Sequence, residues 1–365
     1  MTTSHSQPNN PRRRQTIDWL PAVFLVVAIL LLPAGGNSAA LNSLAIVFVS
    51  ILLEAIPFMF VGSLIGGLIE VFVSREKMTA LLPRRGWQTV CVAAAGGIFF
   101  PVCECAVVPV VRRLVGKGLP LSAAIGYLLG GPILNPIVAA STALAYAFDW
   151  RMVALRMLGG YSIAVIIGLF MGRLFRNNTA IIENGSAPLP APCGCTPDPC
   201  FPVIGGGAHA PACGCHPPHA TEAPADWMDK AGEAFVHAKN DFLAVGHYLV
   251  IGAFIAALAQ THIERSLFTG LAGAPVLSLV LMMALAILLN LCSEADAFIA
   301  ASFQGLMPVS AQLAFLLTGP MLDLKLLLMY RSLFHKRAIV GLASLVLAMV
   351  FLFSVGYEFI QGLLP

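Results

Sequence analysis

Runs of 20 or more residues without a single charged side chain recur throughout this chain of 365 residues. A helix of about 20 apolar residues crosses the hydrocarbon core of a bilayer. The runs cover residues 19–53, 118–148, 242–263, 266–293, 297–322 and 338–357. Charged residues make up only 11% of the sequence, whereas soluble domains carry about 25%. These features predict an all-α polytopic membrane protein with about seven to nine membrane segments, and they exclude a soluble enzyme, a DNA-binding protein and a disordered scaffold.

A segment rich in proline, glycine, cysteine and histidine divides the apolar sequence into two halves. Residues 1–38 are predicted to form a cytoplasmic tail with the first membrane helix, and residues 39–174 a first repeat. Residues 175–240 are predicted to form a metal-binding loop, and residues 241–365 a second repeat. Three features recur 188 residues apart. They are Pro120-Leu-Ser122-Ala123 with Pro308-Val-Ser310-Ala311, Gly131-Pro132 with Gly319-Pro320, and Asn135 with Asp323. The alternative is chance similarity between leucine- and alanine-rich helices.

The positions of lysine and arginine predict how the halves are oriented. If every segment crosses the membrane and Lys325 is set aside, 13 of these residues lie in the cytoplasm and 7 outside. If residues 87–111 and 267–303 each enter and leave on one side, the numbers become 17 and 3, with Arg151, Arg156 and Arg265 outside. The halves are then inverted repeats with re-entrant or broken helices, which is an architecture of transporters.

Two clusters of thiols and carboxylates fall within apolar sequence. Cys103-Glu104-Cys105 stands between two prolines, and Cys292-Ser-Glu294-Ala-Asp296 follows in the second half. A carboxylate at membrane depth is costly and indicates a functional site, and thiolates bind soft cations. The alternatives are thiols that act as small apolar groups beside a helix cap, and an interfacial loop.

Matched glycine–proline pairs are predicted to break a helix in each half and to expose backbone groups to a ligand. A helix kink without a ligand is the alternative. Together with the two clusters, these breaks give the predicted transport site. It comprises Cys103, Glu104, Cys105, Gly131, Pro132, Asn135, Cys292, Glu294, Asp296, Gly319, Pro320 and Asp323.

Residues 193–219 of the central loop carry five thiols and three imidazoles, and we interpret the loop as a metal-capturing segment for Cu(I), Zn(II) or a similar ion. The ligands are Cys193, Cys195, Cys200, His209, Cys213, Cys215, His216 and His219. A glycine between two cysteines lets both thiolates bind one soft ion. A disulfide framework is the alternative, but it needs an oxidising compartment, whereas the charge pattern puts the loop in the cytoplasm. We expect no resident cofactor, since Cu(I) or Zn(II) is a substrate or a loop ligand.

The sequence has no glycine-rich phosphate-binding loop of the kind that ATP-driven pumps use. It also has no pattern typical of a hydrolase triad. The best enzyme hypothesis is an intramembrane thiol oxidoreductase, although Cys-Glu-Cys differs from the Cys-x-x-Cys spacing of redox proteins. Transport is therefore the first hypothesis, with the lipid bilayer, soft metal ions or organoarsenicals, and a metallochaperone as expected partners, and no nucleic acid.

The run from Phe100-Pro101-Val-Cys103-Glu104-Cys105 through residue 136, with residues 292–303, resembles the bacterial predicted-permease family that includes the methylarsenite efflux permeases. The resemblance covers roughly residues 40–175 and 240–360, and it implies a polytopic inner-membrane exporter of thiophilic species. The Cys/His-rich loop looks like that of a copper/zinc efflux branch. The resemblance therefore implies secondary export of Cu or Zn ions from the cytoplasm, with trivalent organoarsenicals such as methylarsenite as the second choice.

Overall fold

The computed structural model describes residues 39–74, 83, 86–98, 103–175, 227–262 and 275–363. These residues form twelve α-helices and a short 3-10 helix, with no β-strand among them. The predicted all-α fold is therefore confirmed. The predicted tail and first membrane helix (1–38) and the eight candidate metal ligands of the central loop lie outside the described residues.

Each half of the chain contributes six helices. The first half has α1 Ala39–Phe72, α2 Gly86–Ala94, α3 Glu104–Gly116, α4 Leu121–Ile133, α5 Pro136–Ala145 and α6 Trp150–Leu174, with the 3-10 helix Ala95–Ile98 after α2. The second half has α7 Trp227–His262, α8 Pro275–Leu289, α9 Ser293–Ala301, α10 Val309–Met321, α11 Leu324–Tyr330 and α12 Lys336–Leu363. Each half therefore begins and ends with a long helix and has four shorter helices between them.

Six helical segments of the described chain are long and apolar enough to cross a membrane. They are α1, α4 with α5, α6, α7, α10 with α11, and α12. The two broken segments are the most buried of the six, and α4 packs against α10 at the centre of the molecule. The polytopic membrane fold is thus confirmed, and its core consists of the two broken helices rather than the straight ones.

The helix ends group at two opposite ends of the molecule. At the first end, which we call the Lys117 end, Lys117 after α3 forms an ion pair of 3.2 Å with Glu70 of α1. The start of α4 belongs to the same end, because Ser122 contacts the backbone at Gly172 near the end of α6. At the second end, the Arg151 end, the start of α6 lies beside the start of α10 and the end of α12.

Two hairpins of short helices enter the core from these opposite ends. In the first half, α2 runs parallel to α4, with Val90 against Gly126 and Ala94 against Gly130, and α3 returns to the Lys117 end. In the second half, α8 packs along α10, and α9 leads back to the Arg151 end at Gln304. Because α3 and α9 leave the centre in opposite directions, the two halves have the arrangement of inverted repeats.

Both long broken helices change direction at the same kind of sequence. Proline lies next to the last residue of α4 and of α10, and two residues separate each helix from the next. Asn135 then accepts a hydrogen bond of 2.9 Å from the backbone of Ile137, and Asp323 accepts one of 2.5 Å from Leu326. These side chains satisfy backbone donors that a membrane interior would leave without water, so each break is stable at depth.

Candidate functional site

The tips of the two hairpins meet at the centre of the protein. Cys103 and Cys292 each precede a short helix, α3 and α9, in an extended conformation. Each is thus the first boundary residue of its helix, 189 positions apart. The structure therefore matches Cys292 with Cys103 in the two repeats. Two helix N-termini, which carry partial positive charge, face each other here.

Glu104, the first residue of α3, connects the tips. Its side chain is 1% exposed. One carboxylate oxygen accepts a hydrogen bond of 2.7 Å from Ser293 Oγ, and the other lies 3.3 Å from Lys325 Nζ. A buried carboxylate needs such partners, because desolvation of an unpaired charge is expensive.

Lys325 of α11 is shared between two carboxylates. Its Nζ lies 3.3 Å from Glu104 Oε1 and 3.4 Å from Asp323 Oδ2. Its backbone nitrogen donates a hydrogen bond of 3.1 Å to the Asn290 side chain. All three charged side chains are buried, so the centre of the protein holds an acid–base–acid triad with one excess negative charge.

A small cavity of about 10 Å³, large enough for roughly one water molecule, lies between α1 and the hairpin tips. Its lining includes all three membrane thiols predicted from the sequence, together with Glu104 and the missed Lys325. The complete lining is Ile51, Glu54, Ala55, Phe58, Cys103, Glu104, Cys105, Asn290, Cys292 and Lys325. The thiols are free, and those of Cys103 and Cys105 are buried. We call this space the thiol cavity.

The other predicted site residues lie around the thiol cavity rather than in its wall. Asp323 pairs with Lys325, which lines the thiol cavity, and Gly319 packs against the Asp296 carboxylate. The structure places the remaining predicted residues outside the lining. They are Gly131, Pro132, Asn135, Glu294 and Pro320. Gly131 instead packs backbone to backbone against Gly97, which lets the first hairpin approach α4 closely.

A second buried charge cluster borders the first. Arg156 is fully buried and donates hydrogen bonds of 2.7 Å to Thr142 Oγ1 and to the Ser293 carbonyl. Asp296 is 1% exposed and lies in the same first turn of α9 as Ser293, whose carbonyl accepts the hydrogen bond from Arg156. Neither Asp296 oxygen has a hydrogen-bond partner among the described residues. Arg156 therefore binds the helix turn that carries this carboxylate, and not the carboxylate itself.

The burial of Arg156 corrects the charge count made on the sequence. That count placed Arg156 outside the membrane with Arg151, but the side chain lies inside the protein and carries no information on topology. Lys325 was set aside there and is part of the central triad. For Lys325 the signal was present in the sequence, because a cation inside an apolar run normally marks a functional site.

A larger cavity of about 480 Å³ lies at the Arg151 end. Asp149, Arg151, Gln304 and Gln361 are among its polar lining residues. Tyr146 and Gln312, which are both buried and also line this cavity, are joined by a hydrogen bond of 3.0 Å. The backbone nitrogen of Tyr146 donates to the Thr142 carbonyl, and Arg156 binds both the Thr142 hydroxyl and the Ser293 carbonyl. Ser293 Oγ in turn donates to Glu104. Polar groups therefore connect this cavity with the thiol cavity.

The described residues do not form a ready metal site. No three side chains of histidine, cysteine, aspartate or glutamate in this part of the chain are placed so that they hold one ion. The thiol cavity instead contains the Lys325 ammonium beside its thiols and Glu104. The Lys325 ammonium therefore contributes a positive charge to the lining of the thiol cavity.

Comparisons with known proteins agree on one family. The family model described as "Predicted permease" matches residues 40–359. The UPF0718 protein YcgR of Bacillus subtilis is 37% identical over 87% of this chain and 96% of its own length. A Streptococcus mutans protein named putative two-component membrane permease complex subunit is 34% identical over 85% of this chain and 94% of its own. No solved structure matches the chain. With its inverted hairpins and central thiols, the chain belongs to the predicted-permease family.

Proposed function

We propose that the protein is an inner-membrane permease that exports thiophilic metal ions, Cu(I) or Zn(II), from the cytoplasm as a secondary transporter. The observation that carries this proposal is the thiol cavity. Cys103, Cys105 and Cys292 converge from two hairpin tips on one buried space that also contains Glu104. Sulfur ligands with a carboxylate suit soft and borderline cations.

The convergence of thiols from both halves favours transport over a local structural role. A site between inverted repeats is reached from one side or the other as the halves move. The cavity at the Arg151 end, connected to the thiol cavity through Tyr146 and Arg156, fits an exit path on the outer side. The excess of lysine and arginine at the Lys117 end fits a cytoplasmic orientation of that end.

The eight cysteine and histidine residues of the central loop complete the proposal. They would collect the ion in the cytoplasm and transfer it to the thiol cavity by exchange of thiolates. The Streptococcus mutans relative is named as a subunit of a two-component membrane permease complex. A second component of this chain's permease, such as a metallochaperone, would deliver or accept the ion.

Uptake into everted vesicles tests the proposal, because export from a cell becomes accumulation there. Vesicles with the wild-type chain should accumulate Cu(I) or Zn(II), and Cys103→Ser/Cys105→Ser/Cys292→Ser should lose at least nine-tenths of this rate. Cys91→Ser is the matched control, since Cys91 is also a free membrane cysteine but does not line the thiol cavity.

Parallel assays separate the alternatives. Uptake of methylarsenite without uptake of either metal would assign the thiols to organoarsenical export. A quinone- or disulfide-linked activity without any uptake would assign them to a thiol oxidoreductase. Wild-type metal uptake by the triple serine variant would refute the proposed role of the thiol cavity.

A further inference from the structure

Lys325 is placed where a cationic substrate of the thiol cavity has to bind. Its ammonium lines the cavity with the three thiols and lies 3.3 Å from Glu104 Oε1. A cation bound between the thiols and Glu104 would therefore lie close to a second, permanent positive charge. Two unit charges about 4 Å apart repel each other strongly in a medium of low dielectric constant, so cation and ammonium cannot both occupy this space.

The side chain of Lys325 has a second position available. Asp323 Oδ2 already lies 3.4 Å from Nζ, and the flexible four-carbon stem of lysine allows the ammonium to turn away from Glu104. The backbone of Lys325 is fixed by the hydrogen bond to Asn290 and by close packing against Gly252 of α7, where an added methyl group would collide with the Lys325 backbone. Movement is thus confined to the side chain.

A comparison of the two repeats shows whether the helix break itself needs the charge of Lys325. At the offset of 188 residues, Asp323 corresponds to Asn135 and Lys325 corresponds to Ile137. Both helix breaks are capped in the same way, by Asn135 and by Asp323. The first half therefore forms its break with neutral residues, and the helix break does not require the charged pair of the second half.

We propose that Lys325 is a tethered counter-cation, which holds Glu104 in the empty site and moves toward Asp323 when the transported cation binds. This inference rests on the proposed export of metal ions. When the cation is bound, Glu104 pairs with it and Asp323 keeps the ammonium, so no buried carboxylate is left without a partner. When the cation leaves, the ammonium returns to Glu104 and opposes rebinding.

The competition predicts that removal of the lysine charge strengthens cation binding. The test uses the full-length chain in detergent, with Cu(I) titrated against the chromogenic chelator bicinchoninate. Cysteines outside the thiol cavity are replaced by serine in every sample, so that the three membrane thiols are the only thiol ligands. These replacements are at Cys91, Cys193, Cys195, Cys200, Cys213 and Cys215.

Lys325→Met should bind Cu(I) about tenfold more tightly than the reference chain, and Cu(I) should raise its melting temperature more. Lys325→Arg should bind at least fivefold more weakly, because a guanidinium fork can hold both carboxylates at once. Lys336→Met, a change of an exposed lysine at the start of α12, is the control and should bind like the reference.

The outcomes separate the inference from the proposed function. If Lys325→Met binds Cu(I) no more tightly than the reference, while Cys103→Ser/Cys105→Ser/Cys292→Ser abolishes binding, the counter-cation role is wrong and the thiol site stands. If the triple serine variant keeps the reference affinity, the thiol site itself is wrong. If Lys325→Met does not fold, the Cu(I) affinity of Lys325→Arg is the test. An affinity of Lys325→Arg that equals or exceeds that of the reference chain would overturn the inference.

Discussion

Ser293 Oγ donates a hydrogen bond of 2.7 Å to Glu104 Oε2, and this bond joins the first residues of the half-helices α3 and α9. The two residues are 189 positions apart and occupy equivalent places in the two repeats. One repeat has thus kept a carboxylate where the other has a hydroxyl that binds it. The pair connects the hairpins directly at the point where the thiols of both halves converge, so any relative movement of the hairpins changes this bond.

Ser293→Ala should weaken both the structure and transport. It removes one of the two partners of a buried carboxylate, and a hydrogen bond to a charged group contributes about 2 kcal/mol. We expect a lower melting temperature in detergent and several-fold slower uptake into everted vesicles. Ser302→Ala is the control, because Ser302 is exposed and bonds only to the Ile299 carbonyl. Equal melting temperatures for the two variants would contradict the role of the bond.

Much of the fold could be predicted from the sequence, because the features that produce it lie within short stretches of the chain. Uncharged runs of about 20 or more residues indicate segments within the membrane, and glycine–proline followed by Asn135 or Asp323 indicates a broken helix that restarts at a capped end. The distribution of positive charge favoured re-entrant hairpins over full spans. The helix breaks depend on neighbouring residues, and the hairpins were inferred from the number of lysine and arginine residues on each side. Both kinds of information are present in a single sequence.

The partners within the site could not be predicted in the same way. The sequence identified three cysteines as candidate ligands, namely Cys103, Cys105 and Cys292. Whether their thiols share one cavity depends on how the two hairpins pack. The pairing of Lys325 with Glu104 joins positions 221 residues apart. Arg156 was misread as a surface charge, because a cation near the end of an apolar run has the same sequence signal whether it faces water or a buried carboxylate.

Gly319→Ala should be strongly destabilising. A methyl group at this position would collide with the carboxylate of Asp296, which is buried. Overpacking of a buried site costs about 1–3 kcal/mol, so the melting temperature should fall by several degrees. Gly341→Ala in α12 is the matched control, since nothing lies within 4 Å of its added methyl group, and it should melt like the wild type or slightly higher. A Gly319→Ala protein as stable as this control would disprove the close contact.

Asp241→Asn should loosen the Lys117 end. Asp241 of α7 forms an ion pair of 2.5 Å with Arg113 of α3, and Arg113 also pairs with Glu70 of α1 at 3.4 Å. The Asp241 side chain is only 4% exposed, so its pair is screened less by solvent than a surface pair. We expect a loss of about 1–2 kcal/mol, measured as a shift in the melting temperature. Glu233→Gln on the same helix, where the carboxylate is 64% exposed, should change the melting temperature by less than half as much.

The two ends of the molecule should face opposite sides of the membrane. Gly116 near the Lys117 end and Arg151 at the other end are both exposed. In a chain whose cysteines are replaced by serine, Arg151→Cys should react with a membrane-impermeant maleimide added to intact cells. Gly116→Cys should react only in everted vesicles. Labelling of both positions from the same side would contradict the inverted arrangement of the hairpins.

Arg156 and Asp296 should behave as a coupled pair in a double-mutant cycle. Arg156→Met removes the buried cation that binds the first turn of α9, the turn that also carries the buried Asp296 carboxylate, and loss of a cation beside a buried carboxylate costs up to about 3–5 kcal/mol. Asp296→Asn removes the carboxylate charge, so the double variant Arg156→Met/Asp296→Asn should recover a large part of the stability that Arg156→Met loses. The measurement is the free energy of unfolding of the three variants in detergent, with Arg151→Met as the control for an exposed arginine on the same helix. Additive effects would show that the two charges do not interact, whereas a coupling of about 2 kcal/mol or more would establish Arg156 as the partner that lets Asp296 remain at the centre of the protein.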